Sequence, residues 1–140
     1  MGKPTGQMFA DLLLTQIGDE YVWGAKPNPE EEDPKAEDCS GLVHWGANHL
    51  HVDPPFPDGS QIQREFCRKY DTTISIDDAR TTPGALLFNS HHVAVSLGHD
   101  DKTIEAHSRT DGVVSLHIGN RFEEAALVPG MDYGPEWEDV

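Results

Sequence analysis

The chain has 140 residues, 36% of them hydrophobic and 25% charged, which is enough for one domain with a substantial core. Ten basic residues against 25 acidic ones give a formal net charge of −15. Such a field repels phosphate backbones and anionic lipid heads, so no nucleic acid and no membrane surface is expected as a partner.

In chain order, Thr5 to Gly18 reads as a helix, with Phe9, Leu12, Leu13 and Ile17 at helical spacing and Gly18 as a stop. The aromatic segment Tyr21-Val22-Trp23-Gly24 follows, and Trp23, like Trp45, reads as a core residue. Lys26 to Asp38, rich in Pro and acid, reads as a solvated loop. Its Glu30, Glu31, Glu32 and Asp33 lack the alternating oxygen ligands and central glycine of a calcium loop.

Asp38-Cys39-Ser40 opens a second helix running to about Leu50, because an Asp oxygen there accepts from orphan amide groups. Val43, Gly46, Ala47 and Leu50 share the face of Cys39, which puts the cysteine on the buried edge of the first turn. His44, His49 and His51 have no cysteine at ligand spacing and read as surface residues, so no metal and no cofactor is expected. Prolines make His51 to Gly59 irregular, and a short helix is expected around Gln61 to Tyr70. It contains Cys67, read as a buried structural thiol without a disulfide to Cys39.

Beyond Pro83-Gly84 the period changes from helical to alternating. Ala85 to Phe88 is a short apolar strand, and in His92 to Leu97 the residues His92, Ala94 and Ser96 face one way. His91, on the other side, reads as solvent-facing. In Thr103 to His107, Thr103, Glu105 and His107 share a face, and Val113 to Ile118 is a third alternating strand. Helices first and strands after give an α+β fold, an antiparallel sheet packed on the Cys39 helix. A single domain over residues 1–140 is expected, with an acidic tail from about residue 131.

A cysteine at a helix N-terminus is favoured as thiolate by the partial positive charge there. A histidine within hydrogen-bond reach completes a nucleophile–base pair, and a third polar group orients the ring. Cys39, His92, and either Glu105 or His107 supply those parts in the linear sequence.

Tyr21-Val-Trp-Gly24, Asp38-Cys-Ser-Gly-Leu-Val43, Pro83-Gly-Ala-Leu-Leu-Phe88 and His92-Val-Ala-Val-Ser-Leu-Gly98 together resemble the NlpC family of papain-like cysteine peptidases. Asp58-Gly-Ser-Gln61 is similar to its stretch between nucleophile and base, and the likeness covers Tyr21 to Gly112. The resemblance implies hydrolysis of a peptidoglycan stem-peptide amide, most often between D-γ-glutamate and a diamino acid. It also implies Cys39 as nucleophile, His92 as base, and Tyr21, Asp38 and Ser40 shaping the substrate site. The Tyr21 hydroxyl and the Cys39 N–H are candidates for stabilising an oxyanion.

The family commonly has His at the third position; here Ile104-Glu105-Ala106 puts Glu105 there, with His107 two residues on. A carboxylate suits the task of stabilising an imidazolium, so Glu105 is the preferred reading.

Met1 to Gln7 lacks the features of a signal peptide. The expectation is a phage or bacterial wall lysin, a monomer, cytoplasmic until released or carried on a virion, or else a fragment of a larger hydrolase. The alternatives are an amidase or acyltransferase on the same fold, or a non-catalytic binding protein that kept it.

Overall fold

The computed structural model describes residues 2–137. Helix α1 (Gly6–Leu14) starts where Thr5 Oγ1 accepts from the Met8 N–H at 3.0 Å. It stops four residues short of the expected end. The N–H groups of Thr15, Gln16 and Ile17 bond back to Leu12, Leu13 and Leu14, a tightened i→i−3 turn that rotates Ile17 to 51% exposure.

Two short strands, β1 (Glu20–Tyr21) and β2 (Ala36–Glu37), pair in parallel with Tyr21 opposite Glu37. Helix α2 (Cys39–His49) begins immediately after, so this ribbon fixes Tyr21 beside the start of the cysteine helix. Helix α3 (Ser60–Lys69) matches expectation. Then come β3 (Thr73–Ile74), α4 (Ile76–Arg80), β4 (Leu86–Phe88), β5 (Val93–Ser96), β6 (Thr103–Ser108), β7 (Gly112–Val114) and β8 (Glu124–Ala126).

The main sheet runs β3-β8-β4-β5-β6-β7 with every pair antiparallel. The fold is therefore α+β, with α2 laid across β5 and β6. Leu42, Val43, Trp45 and Ala47 of α2 share one core with Val93, Val95, Ile104 and Ala106 of the sheet. Burying each large side chain there contributes about 1.5–3 kcal/mol. Gly46 permits the close approach of α1: a Cβ at that position would collide with Leu13 and Phe9.

Two expectations need correction. The strand over Val113 to Ile118 ends at Val114, and pairing continues only as an isolated bridge between Lys102 and His117. The acidic tail from about residue 131 does not begin there. Met131 is buried, and the Tyr133 hydroxyl is held between the Val128 N–H at 3.1 Å and the Gly84 carbonyl at 2.8 Å. Residues 138–140 of that expected tail lie outside the described residues.

Candidate active site

The site begins with the turn that starts α2. Asp38 caps the helix, its Oδ1 accepting from the Gly41 N–H at 2.6 Å. Its Oδ2 accepts from the Gly24 N–H at 3.2 Å and from Lys26 Nζ at 2.9 Å, and Lys26 reaches on to Asp58 at 3.1 Å. Asp38 is thus a clamp that ties the Tyr21–Gly24 segment to the helix start. Both of its oxygens are occupied within the chain. Ser40 lies buried beside it, with Oγ 3.3 Å from Lys26 Nζ, and its carbonyl accepts from Gln63 Nε2 at 3.1 Å. Neither side chain opens onto the cleft, whereas half-buried Tyr21 forms its wall.

This scaffold sets Cys39 at the first turn of α2, where its N–H has no intrahelical acceptor. His92, just ahead of β5, faces it. Nε2 of His92 lies 2.8 Å from Glu105 Oε1, so that nitrogen carries the hydrogen and Nδ1 is left for the Cys39 sulfur. Burial works against the imidazolium, but hydrogen bonds and charge from Cys39 and Glu105 outweigh it and raise His92 to about 9.

Glu105, on β6, is 1% exposed. Burial pushes its carboxyl up, yet hydrogen bonds from His92, Arg121 and Thr103 more than reverse this and hold it at about 2. Arg121 meets it with both ends of its fork, Nη1 to Oε1 at 3.0 Å and Nη2 to Oε2 at 2.8 Å. The Thr103 hydroxyl donates to Oε2 from the same face of the strand.

His107 does not take this place. Its Nδ1 pairs with Asp111 at 2.8 Å, and its ring stands edge-on to His92 with centroids 5.9 Å apart. The β6–β7 pairing is irregular between Ala106 and Ser108, at His107.

Tyr21, Asn89, His91, His92, His107 and Arg121 line an open cleft of about 500 Å³. A neighbouring cleft of about 450 Å³ shares Tyr21 and continues past Trp23 to Arg109. Trp23 is 84% exposed, so its expected place in the core is wrong; Trp45 is fully buried. Trp23 directly precedes the Gly24 turn, whose N–H donates to Asp38. Gln61 Nε2 donates to the Asn89 carbonyl at 2.9 Å, tying the Asp58–Gln61 stretch to the cleft rim.

Arg121 escaped the sequence reading because it lies in a loop with no periodicity. One signal was available: a glutamate kept ionised on the inward face of a strand needs a cation, and the chain holds only ten. The histidines read as surface residues are dispersed. His49 Nδ1 meets the Pro29 carbonyl at 2.7 Å and its ring stacks on Trp45, His51 is exposed, and His44 Nδ1 is buried without a partner. Among the described residues no group of three or more His, Cys, Asp or Glu is arranged to hold a metal. No helix among them is long and apolar enough to cross a membrane.

The family model described as NlpC/P60 matches residues 18–128, most of the chain. The chain belongs to the NlpC/P60 family. No curated protein matches it. Among solved structures, this NlpC/P60 domain is similar to NlpC2 from Trichomonas vaginalis, with 20% identity over 91% of this chain and 48% of that one, and a TM-score of 0.71. It is also similar to the NlpC/p60 domain of the peptidoglycan hydrolase SagA, with 24% identity over 87% of this chain and 97% of that one, and a TM-score of 0.70. The peptidoglycan hydrolase RipB from Mycobacterium tuberculosis matches at 19% identity over 88% of this chain and 64% of that one, with a TM-score of 0.66. These likenesses show a shared fold, and the chain spans about half the length of the Trichomonas protein.

Proposed function

We propose that this NlpC/P60 domain is a cysteine endopeptidase that hydrolyses an amide in peptidoglycan stem peptides, between D-γ-glutamate and a diamino acid. The observation that carries the reading is His92, bonded to Glu105 at 2.8 Å and raised by the neighbouring Cys39 thiol, opening on a cleft walled by Tyr21. Family membership supports the choice of substrate class.

In this mechanism the Cys39 thiolate attacks the amide carbonyl, and the oxygen that gains charge is met by the Cys39 N–H and the Tyr21 hydroxyl. The proton on Nδ1 of His92 passes to the departing amine as the C–N bond breaks, leaving a thioester on Cys39. Water then gives a proton to the same imidazole and attacks the thioester, which frees the acid and regenerates the thiolate–imidazolium pair. Glu105 keeps Nε2 protonated and the ring fixed throughout. The same reading makes the chain a phage or bacterial wall lysin that acts as a monomer, reaching its substrate after release from a cell or from a virion. A surface with a net charge of −15 does not attract anionic wall polymers.

The test is digestion of purified peptidoglycan followed by mass analysis of the fragments. Cys39→Ala should abolish release of cleaved stem peptides while Cys67→Ala largely spares it. Cys67 is buried and its thiol is pushed up to about 12, which makes it unreactive. Equal loss in the two folded variants would sink the assignment of Cys39.

A further inference from the structure

The mechanism above gives Arg121 no task, although both ends of its fork meet Glu105. Its guanidinium is anchored independently of Glu105: Nε and Nη2 donate to the His117 carbonyl at 2.9 and 2.7 Å, and the group lies over the Phe122 ring at 4.6 Å. Phe122 in turn lies roughly parallel to the His92 ring, with centroids 6.5 Å apart and planes at 21°. The Arg121-Phe122 pair therefore brackets the relay, the cation on the carboxylate and the aromatic ring on the imidazole.

We infer that Arg121 is a positioning residue whose fork both aligns Glu105 on Nε2 of His92 and divides the carboxylate's charge, so that His92 can release its proton. This deepens the peptidase reading and rests on it. The physical need is specific. A buried carboxylate whose sole counter-charge was His92 would grip the imidazolium too tightly, because deprotonation would strand an unpaired anion in the core. The Nδ1 proton must instead move to the amine as the C–N bond breaks. A second cation on the same carboxylate lowers that cost, since Glu105 stays paired after His92 becomes neutral. The fork also fixes both oxygens in plane, which a single-point cation does not do.

Among the described residues, the charged and titratable groups around the ring come from several elements. Cys39 comes from α2, Glu105 and His107 from β6, and Tyr21, His91 and Arg121 from the cleft wall; His107 is itself held by Asp111. Arg121 is the permanent cation among them.

The experiment is the pH profile of Cys39 alkylation by iodoacetamide, combined with the clearing rate of purified peptidoglycan, for Arg121→Met, Arg121→Gln and Arg121→Lys. Cys67 stays silent below about pH 10 because its thiol titrates near 12. In the unaltered protein the alkaline step, where the imidazolium loses its proton, is expected near pH 9. Both uncharged variants should move it upward by about one unit, tenfold in proton affinity. Clearing should fall about 10²-fold in each. Arg121→Lys should return the step to within a few tenths of a unit, with clearing reduced only a few-fold. Arg121→Gln keeps an N–H donor for Glu105 and carries the test if Arg121→Met fails to fold. An unmoved alkaline step in a folded uncharged variant overturns the inference, and so does a lysine variant shifted as far as the others. Alkylation needs no wall substrate. If the step moves but the unaltered protein clears no peptidoglycan, the positioning role stands and the peptidase reading falls.

Discussion

Glu105 and Glu37 are both buried glutamates on strands beside the candidate active site, and their surroundings drive them in opposite directions. Glu105 is 1% exposed and receives donors from His92, Arg121 and Thr103, which hold it ionised at about 2. Glu37 is 0% exposed and neither of its oxygens receives a hydrogen bond from an N–H or hydroxyl donor. Burial, then the adjoining Asp19 carboxyl, then the charges of Asp33 and Glu31 push it up to about 9. A fully buried carboxyl beside a second carboxyl keeps its proton, and Asp19 is raised along with it. Burial sets the cost of a charge; the donors that surround it decide whether the charge is kept. In this molecule the kept charge orients the histidine, while the neutral carboxyl belongs to the ribbon that carries Tyr21.

Glu105→Gln should have the largest effect, because it converts the satisfied site into an unsatisfied one. The amide cannot stabilise an imidazolium, and it leaves the Arg121 fork without its anion. Turnover of purified peptidoglycan should fall about 10²-fold or more. Breaking a buried ion pair also costs about 3–5 kcal/mol, discounted here because Arg121 is 30% exposed. Steady-state kinetics beside urea unfolding separate the two losses. A folded variant with near-native turnover would remove Glu105 from the relay.

Glu37→Gln should do the reverse and stabilise. The folded protein holds this proton to about pH 9, whereas the unfolded carboxyl releases it near 4.5. Between those values the folded state binds more protons, so stability declines as pH rises from about 4.5 through about 9. Glutamine abolishes that slope. At pH 8 the variant should be more stable by on the order of 1–3 kcal/mol, with the gain absent below pH 4.5. Urea midpoints at pH 4, 6 and 8 measure it, and parallel pH dependence in the two proteins would show that Glu37 is ionised when folded.

The contrast also marks how much of the site was legible. Asp38-Cys39-Ser40 announces a capped helix start, because capping is local chemistry, and α2 begins at Cys39. Alternation along β6 puts Thr103 and Glu105 on one face, where both meet in the structure. Local rules do not reach Arg121, which meets Glu105 from 16 residues away, nor the Lys26 clamp on Asp38 and Asp58. They also misplace Trp23, because an aromatic residue reads as core from its residue type alone. Strands β3 and β8, with two and three residues, and helix α4, with five, are too short to show a period. One side of the main sheet, β3 and β8, was therefore invisible from sequence, though the strand that carries Glu105 and the one that His92 precedes were not.

His107→Gln should have the smallest effect, and it bears on the position where the sequence offered two answers. His107 and Glu105 are two apart on β6, so strict alternation would aim both at His92. The pairing irregularity after Ala106 and the 2.8 Å bond to Asp111 leave only Glu105 on Nε2. His107 still lines the cleft, with its ring edge-on to the imidazole at 5.9 Å. Replacing it removes a wall of the substrate site without touching the proton relay. The expected result is kcat within about threefold of the unaltered protein and KM raised by up to about tenfold, because binding common to ground and transition state is what is lost. That split is the informative reading: a loss confined to KM leaves the relay as Cys39, His92 and Glu105. A collapse of kcat by about 10²-fold in folded His107→Gln, with Glu105→Gln mild, would exchange the two residues. The bond to Asp111 would then have to be broken in the working enzyme, freeing the His107 ring to turn toward His92.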